Sequence, residues 1–310
     1  MQPSARFTVV AGVVLAACHD PIAGPTSHPN RANAGYGSGG SGGTGGTIVF
    51  QSRLEGNDDV WIMNADGTSL TNLTRNPAHD VSPDWSGNGK QIVFLSDRDD
   101  DVFDWELYVM NADGTGITRL TYTGAPELQP KFSPNSKQIL FTRFGGTDLE
   151  VFVMNADGTS VTNLTNNPAD DRDATWSPDG KEIAFTSTRD GFEEIYVMNA
   201  DGSSARRLTY LDGTLGPIGY LAWSPDGKQI AFATDNVMSL YMINVDGTGL
   251  KEVIDFHKFI EGLDWSPNGK QLVVALGVTD KYDIDKVNAD GTGITQITFN
   301  ETNSQPAWTR

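Results

Sequence analysis

Short apolar runs recur along this chain, and each carries apolar residues on both alternating positions instead of one. "QIVFLS" from Gln91, "EIAFTS" from Glu182 and "EIYVMN" from Glu194 are examples. A strand apolar on both faces has to be covered on both faces. A second kind of run, "SLTNLT", "GITRLT" and "SVTNLT", alternates apolar residues with Thr or Asn, as the half-wetted outer strand of a sheet does. No 3.6-residue helical pattern competes within these segments.

The runs are separated by two turn signals that keep step with each other. "VMNADGT" stands at Val109–Thr115 and Val153–Thr159, with near-copies at Ile62–Thr68, Val197–Ser203, Met242–Thr248 and Lys286–Thr292. The opening Asn (Asn64, Asn111, Asn155, Asn199, Asn244 and Asn288) recurs every 44 to 47 residues. Trp85, Phe132, Trp176, Trp223, Trp265 and Trp308 run in phase with it, five of them followed by "SPDG"-type turns. In such a turn Ser suits the first position, Pro pre-sets φ at the second, and Gly takes the left-handed position that follows. "NADG" offers the same chemistry without Pro, and both suit hairpins with a type I turn and a bulge. A fixed period of this length marks a repeat architecture. Four strands per repeat, three buried and one at the edge, predict an all-β, six-bladed β-propeller with four antiparallel strands per blade. "TIVFQS" (Thr47–Ser52) matches the second strand of a blade and "QPAWTR" matches the first. The ring is therefore expected to close by pairing N- and C-terminal strands, which removes free sheet edges.

Composition then divides the 310 residues. Phe7–Ala17 ("FTVVAGVVLAA") behind Arg6 is too short to span a bilayer but suits a signal-peptide core. It runs into "LAAC" (Leu15–Cys18), which resembles the lipobox of bacterial lipoproteins. That resemblance implies cleavage before Cys18 and lipid attachment to it; a plain secretory signal with Cys near its cleavage site is the alternative. Cys18 is the single cysteine, so an intrachain disulfide is excluded. The stretch 18–46 is rich in Pro, Asn, Ser and Gly and ends in "GSGGSGGTGG", the composition of a flexible tether. The expected organisation is signal peptide 1–17, tether 18–46 and propeller 47–310.

The "WSPDGKxIaF…IYVMNADG…LT" repeats resemble the bacterial propeller repeats of the TolB type (PD40 repeats), and lack the Gly-His and Trp-Asp signatures of WD40 blades. The resemblance covers Thr47 to Arg310. It implies the propeller fold and partner-protein binding in the cell envelope. The α/β domain that precedes the propeller in TolB has no counterpart in residues 1–46, so its role in the Tol system is not carried over.

The net charge is −18. In a propeller with this strand order the SPDG and NADG turns share one face and the longer connections share the other. Most of the 40 acidic residues fall on the long-loop side, while acids and bases balance elsewhere. An acidic rim repels nucleic acid and anionic lipid, and attracts basic peptides or divalent cations; a charge that merely keeps the protein soluble is the alternative. An acid lies five positions before the turn Asn at Asp59, Glu106, Glu150, Glu194 and Asp283, and Arg53, Arg98, Arg143 and Arg189 open four of the same hairpins. Exposed cross-hairpin ion pairs that shape the loops are expected, each contributing ~0–1 kcal/mol.

The non-repeating residues are the site candidates. "ADDRDATW" places Asp170, Asp171, Arg172 and Asp173 where a blade is entered near the channel, with Asp80, Glu127, Glu261 and Asn303 at comparable positions. Such a ring could hold a cation or a basic peptide, or be a hydrated channel mouth. Asp97, Asp99 and Asp101 alternate as in the first half of a calcium loop, but Val102 and Tyr108 stand where that loop needs Gly and Glu; calcium is therefore a weak candidate and no other cofactor is expected. His79 and His257 lie in inter-blade loops without metal-ligand spacing. There is no Cys nucleophile, GxSxG or phosphate loop, so no catalytic residue is assigned. Phe103, Trp105, Tyr122, Phe144, Phe192, Tyr210, Tyr220 and Phe299 are long-loop aromatics suited to sugars or to protein hot spots. Tyr220 sits in the longest inter-blade loop. The expected function is a lipid-anchored, monomeric envelope or periplasmic module. It binds a protein or peptide, basic in character, through the acidic long-loop face and touches the membrane only by its anchor. A carbohydrate- or metal-binding lyase or hydrolase is the alternative.

Overall fold

The computed structural model describes residues 46–99, 105–234 and 238–310. The calls on Cys18, the signal peptide, the tether before Gly46, Asp101 and Phe103 lie outside them. Six four-stranded antiparallel sheets make up the described chain. Sheet I holds β1 (Thr47–Ser52), β2 (Asp59–Asn64) and β3 (Thr71–Asn72). Sheet II holds β4 (Asp80–Trp85), β5 (Gln91–Ser96), β6 (Glu106–Asn111) and β7 (Thr118–Arg119). Sheet III holds β8 (Glu127–Phe132), β9 (Gln138–Phe144), β10 (Leu149–Asn155) and β11 (Thr162–Asn163). Sheet IV holds β12 (Asp171–Trp176), β13 (Glu182–Ser187), β14 (Glu194–Asn199) and β15 (Arg206–Arg207). Sheet V holds β16 (Ile218–Trp223), β17 (Gln229–Thr234), β18 (Ser239–Asn244) and β19 (Lys251–Asp255). Sheet VI holds β20 (Phe259–Trp265), β21 (Gln271–Val278), β22 (Lys281–Asn288) and β23 (Thr295–Gln296). Finally β24 (Asn303–Trp308) pairs antiparallel with β1 and completes sheet I in the order β24-β1-β2-β3. The expected head-to-tail closure is what forms: a six-bladed propeller.

The two inner strands that follow each innermost one are buried on both faces, which is why they read as continuous apolar runs. Val93, Phe94 and Leu95 of β5 and Leu107 and Tyr108 of β6 are all buried. Cross-strand aromatic pairs run through sheets II to V, with ring centroids 5.6–5.8 Å apart in Phe94–Tyr108, Phe141–Phe152, Phe185–Tyr196 and Phe232–Tyr241. Such pairs contribute ~0.5–1.5 kcal/mol beyond their area. Two innermost-strand Trp residues stitch neighbouring sheets together: Trp176 Nε1 donates to the Lys131 carbonyl at 3.3 Å and Trp265 Nε1 to that of Ala222 at 3.1 Å.

Each NADG turn is closed from within. The Asn155 N–H donates to Thr159 O at 2.8 Å, and Asp157 Oδ1 accepts from the Thr159 N–H and hydroxyl at 3.0 and 2.6 Å. The turn glycines have left-handed φ, and Gly291 (φ 87°) also lies against the next sheet, where a Cβ would meet Val253 O at 2.4 Å. Gly is thus required twice over, by conformation and by close approach. The Thr of each "LT" has its own task. Thr74, Thr121, Thr165, Thr209 and Thr298 accept from the backbone N–H of Val60, Leu107, Val151, Ile195 and Ile284 at 2.8–3.1 Å. The outer strand is thereby pinned to its inner neighbour where the ladder ends.

Candidate functional site

The six innermost strands β24, β4, β8, β12, β16 and β20 surround the central channel, and each carries a register shift at the same place. At that bulge the backbone turns left-handed: Ser82 (φ 53°), Gln129 (51°), Asp173 (54°), Tyr220 (55°), Gly262 (124°) and Gln305 (50°). Only one of the six is glycine. Non-Gly residues in this region cost of order 1–3 kcal/mol each and persist where the surroundings enforce them. A bulge re-aims its side chain, and all six residues line the channel cavity of about 50 Å³.

These residues hydrogen-bond around the ring. Ser82 Oγ donates to Gln305 Oε1 at 2.7 Å. Gln129 Nε2 donates to Asp173 Oδ1 at 2.5 Å, while the Asp173 N–H donates back to Gln129 Oε1 at 3.2 Å. The Tyr220 N–H reaches the same Asp173 oxygen at 3.2 Å, and the Tyr220 hydroxyl donates to Glu261 Oε2 at 2.7 Å. Tyr282 supplies a second hydroxyl to Glu261 at 3.3 Å. Beside the belt, Arg172 bridges Asp173 (3.5 Å) and Glu193 (2.6 Å). The channel therefore carries a polar, carboxylate-bearing belt. Toward the short turns lies a second cavity of about 220 Å³, lined by Trp176, Trp223, Trp265 and turn prolines.

The sequence brings the right strands to the channel but points to the wrong position within them. Asp80, Glu127, Asp171 and Asn303, the expected ring, are buried. Asp80 accepts from Arg98 Nη2 at 2.7 Å and Asn76 Nδ2 at 2.6 Å. Asp171 is held by Arg189 at 3.0 and 3.1 Å and by Asn167. Asp170 accepts the Leu149 N–H at 3.0 Å. The channel-lining residue is two places further along, at the bulge, which leaves Asp173, Tyr220 and the adjacent Glu261 as the members of the expected set that reach the belt. A signal for the bulge exists: Pro83, Pro130 and Pro306 follow it directly. Proline inside a sheet marks a bulge or an unpaired edge because it cannot donate to the ladder.

The expected cross-hairpin ion pairs also need correction. Arg98, Arg143 and Arg189 pair with the first residue of the innermost strand (Asp80, Glu127 and Asp171), at 2.7, 3.5 and 3.0 Å, and not with the acids of their own hairpins. Each guanidinium also lies over the aromatic pair of its sheet, as Arg98 does at 5.2 Å from Phe94 and 5.0 Å from Tyr108. Arg53 pairs with Asp58 at 2.8 Å instead, because Asn303 occupies the equivalent place in its sheet. The hairpin acids Asp59, Glu106, Glu150, Glu194 and Asp283 are buried, not exposed. Glu194, for example, accepts from Arg207 Nη2 (2.6 Å), Thr209 Oγ1 (2.5 Å) and the Leu211 N–H (2.7 Å). Much of the long-loop acidity is thus structural.

Glu127 and Glu106 form a buried carboxyl pair. Burial, followed by the charge of Glu106, pushes Glu127 up to about 8. Glu106 lies below its usual range: burial raises it, and hydrogen bonds from Thr121, Thr123 and Arg119 outweigh that. Burial and the neighbouring carboxylate thus favour the protonated form of Glu127, against the Thr121 and Thr123 hydroxyls that donate to it. At the channel wall, burial likewise raises Asp264, against the opposing charges of Arg310 and Lys131. Asp264 accepts the N–H groups of Trp265 and Trp308, both at 2.8 Å.

His79 and His257 serve separate loops. His79 Nδ1 lies 3.2 Å from Asp58 and His257 Nδ1 lies 2.9 Å from Asp255. Asp97 accepts the His79 N–H at 2.8 Å and Asp99 the Tyr108 hydroxyl at 2.7 Å, so the two described members of the alternating triplet face different partners. Among the described residues, no three His, Cys, Asp or Glu side chains converge as a metal site would require.

Comparison with known proteins agrees with this geometry. The profile of the PD40 family, described as the TolB β-propeller domain, matches residues 42–147 and 128–308. The chain belongs to the TolB β-propeller family. Among solved structures, TolB from Acinetobacter baumannii superposes with TM-score 0.71 at 22% identity, over 85% of this chain and 66% of that one. A candidate TolB from Agrobacterium tumefaciens gives TM-score 0.65 at 19% identity, covering 84% and 92%. Hydrazine synthase from Kuenenia stuttgartiensis gives 0.71 at 15% identity, covering 86% and 47%. At these identities the likeness is one of fold, and this TolB-type propeller spans just under two thirds of the Acinetobacter protein. No curated protein matches the chain.

Proposed function

We propose that this TolB-type propeller is a binding module of the bacterial cell envelope that grips a protein or peptide partner at the long-loop end of its channel. The observation that carries the reading is the belt. Five non-glycine residues are held in left-handed backbone around one opening, and hydrogen bonds join Ser82 to Gln305 and run from Gln129 through Asp173 and Tyr220 to Glu261. Strain of that kind concentrates at ligand clamps. Asp173 and Glu261 give the opening negative polarity, which suits a basic segment of the partner. The finer parts of the proposal are a lipid on Cys18 and a tether over 18–46 that lets the ring reach its partner.

Capture from envelope extract tests both parts. The full chain retains a partner that Asp173→Asn/Glu261→Gln loses, and retention weakens as salt rises. Equal retention by both proteins overturns the belt as the site. In the same cells Cys18→Ser moves the protein from the membrane pellet to the soluble fraction; unchanged sedimentation overturns the anchor.

A further inference from the structure

The fourth strands carry a pattern that six equal blades do not require. Residues 118–122 (TRLTY), 206–210 (RRLTY) and 295–299 (TQITF) put an aromatic directly after the pinned Thr. They belong to sheets II, IV and VI. The same place holds Arg75 in sheet I, Asn166 in sheet III and, by strand register, Asp255 in sheet V. Aromatic and polar residues thus alternate without exception around the ring, and a threefold pattern is written onto a sixfold one. Tyr122, Tyr210 and Phe299 are among the most exposed large side chains, at 74, 73 and 78%.

Exposed aromatics are ordinarily mobile, but these are supported from behind. Arg119 Nη2 is anchored to buried Glu106 at 3.0 Å and its Nε to Thr121 O at 2.7 Å, so the guanidinium lies 4.5 Å from the Tyr122 ring centroid. Arg207 repeats all three contacts with Glu194 (2.6 Å), Thr209 O (2.7 Å) and Tyr210 (4.4 Å). Gln296 reproduces the first two, to Asp283 at 2.9 Å and Thr298 O at 2.8 Å, beside Phe299. In sheet I the same place holds the shorter Asn72, which reaches Asp59 at 2.8 Å. In sheets II and IV a buried acid fixes an arginine and that arginine backs a ring whose other face is left to solvent; in sheet VI the acid and the fixed polar side chain recur next to an equally exposed Phe299. Little rotamer freedom then remains to be lost on binding.

We propose that Tyr122, Tyr210 and Phe299 are three equivalent stacking sites for a neutral or amino-sugar polysaccharide. A protein interface needs a contiguous apolar core, whereas polar positions separate these rings. Identical small sites repeated round a rim suit a ligand that itself repeats, in which each sugar offers an apolar C–H face to one ring and the sites add by avidity. A net charge of −18 selects against anionic polymers. The sites lie at the rim, separate from the channel belt, and stand or fall independently of it.

The test is retention of the full chain on chitin and its retardation in gels containing hydroxyethylcellulose, with polygalacturonate as the anionic control. The native protein is held by one or both of the first two and not by the third. Removing one ring (Tyr122→Ala, Tyr210→Ala or Phe299→Ala) weakens retention by roughly tenfold, and removing all three abolishes it. Arg119→Ala/Arg207→Ala weakens it with every ring in place. Because the substituted side chains are exposed, circular dichroism and the urea midpoint of the ring variants match the native protein. Free passage of the native chain through both polymers, or equal retention of the triple variant, overturns the proposal. So does loss of a captured protein from the triple variant when no polymer binds, an outcome that would make the rings protein contacts.

Discussion

At the short-turn end Asp66, Asp113, Asp157, Asp201, Asp246 and Asp290 each accept from a Thr or Ser two residues on. At the bulge of the innermost strands Ser82, Gln129, Asp173, Tyr220, Gly262 and Gln305 share a positive φ but no common side-chain chemistry. One end repeats both residue and contact; the other repeats a backbone shape and varies what is mounted on it. The difference separates what specifies the fold from what is free to specialise. Turns that register neighbouring strands tolerate few alternatives, because a slip of one residue would move every side chain to the opposite face. A bulge facing the channel constrains only φ, ψ and the room available.

Between the two ends lies a layer of buried charge, and the comparison is broken most severely there. Arg98→Ala leaves the fully buried Asp80 facing an absent partner and strips a cation from Phe94 and Tyr108. The expected loss is about 3–5 kcal/mol, read as a lower urea midpoint with an unchanged slope. Gly291→Ala attacks the repeating end, where it combines a left-handed φ with a Cβ 2.4 Å from Val253 O. Roughly 1–3 kcal/mol is expected. A midpoint equal to that of the native protein would show the turn to be more accommodating than its geometry implies.

A separate effect is one of pH. Folded Glu127 holds its proton up to about 8, against 4.5 for an unperturbed glutamate. Below 4.5 both states are protonated and the full contribution is present. As pH rises through the interval to about 8 the unfolded chain releases its proton first, so stability declines and then levels off. Glu127→Gln removes that decline, leaving the contributions of the other carboxyls that burial raises, among them Asp285, pushed up to about 6. Urea midpoints of this variant that fell with pH as steeply as the native ones would place the titration elsewhere.

The number of blades, their turns and the closing strand were legible because they rest on local, repeated signals: a Gly where φ is positive, a Trp or Phe at the end of each innermost strand, an apolar run on both faces. The candidate site was half legible. Asp173, Tyr220 and Glu261 could be named, but Asp80, Glu127 and Asp171 look equally available in sequence and are consumed by Arg98, Arg143 and Arg189. Acidity read along a chain does not reveal which carboxylates face inward. Ser82, Gln129 and Gln305 were missed because a bulge residue carries no fixed side-chain chemistry; only the prolines after them give it away.

The pairing of β24 with β1 has a consequence for biogenesis. Sheet I lacks its innermost member until everything else described here has been synthesised, so the ring can lock only after translation of its final strand. Until then β1 presents an unpaired apolar edge, open to mispairing with any other exposed strand.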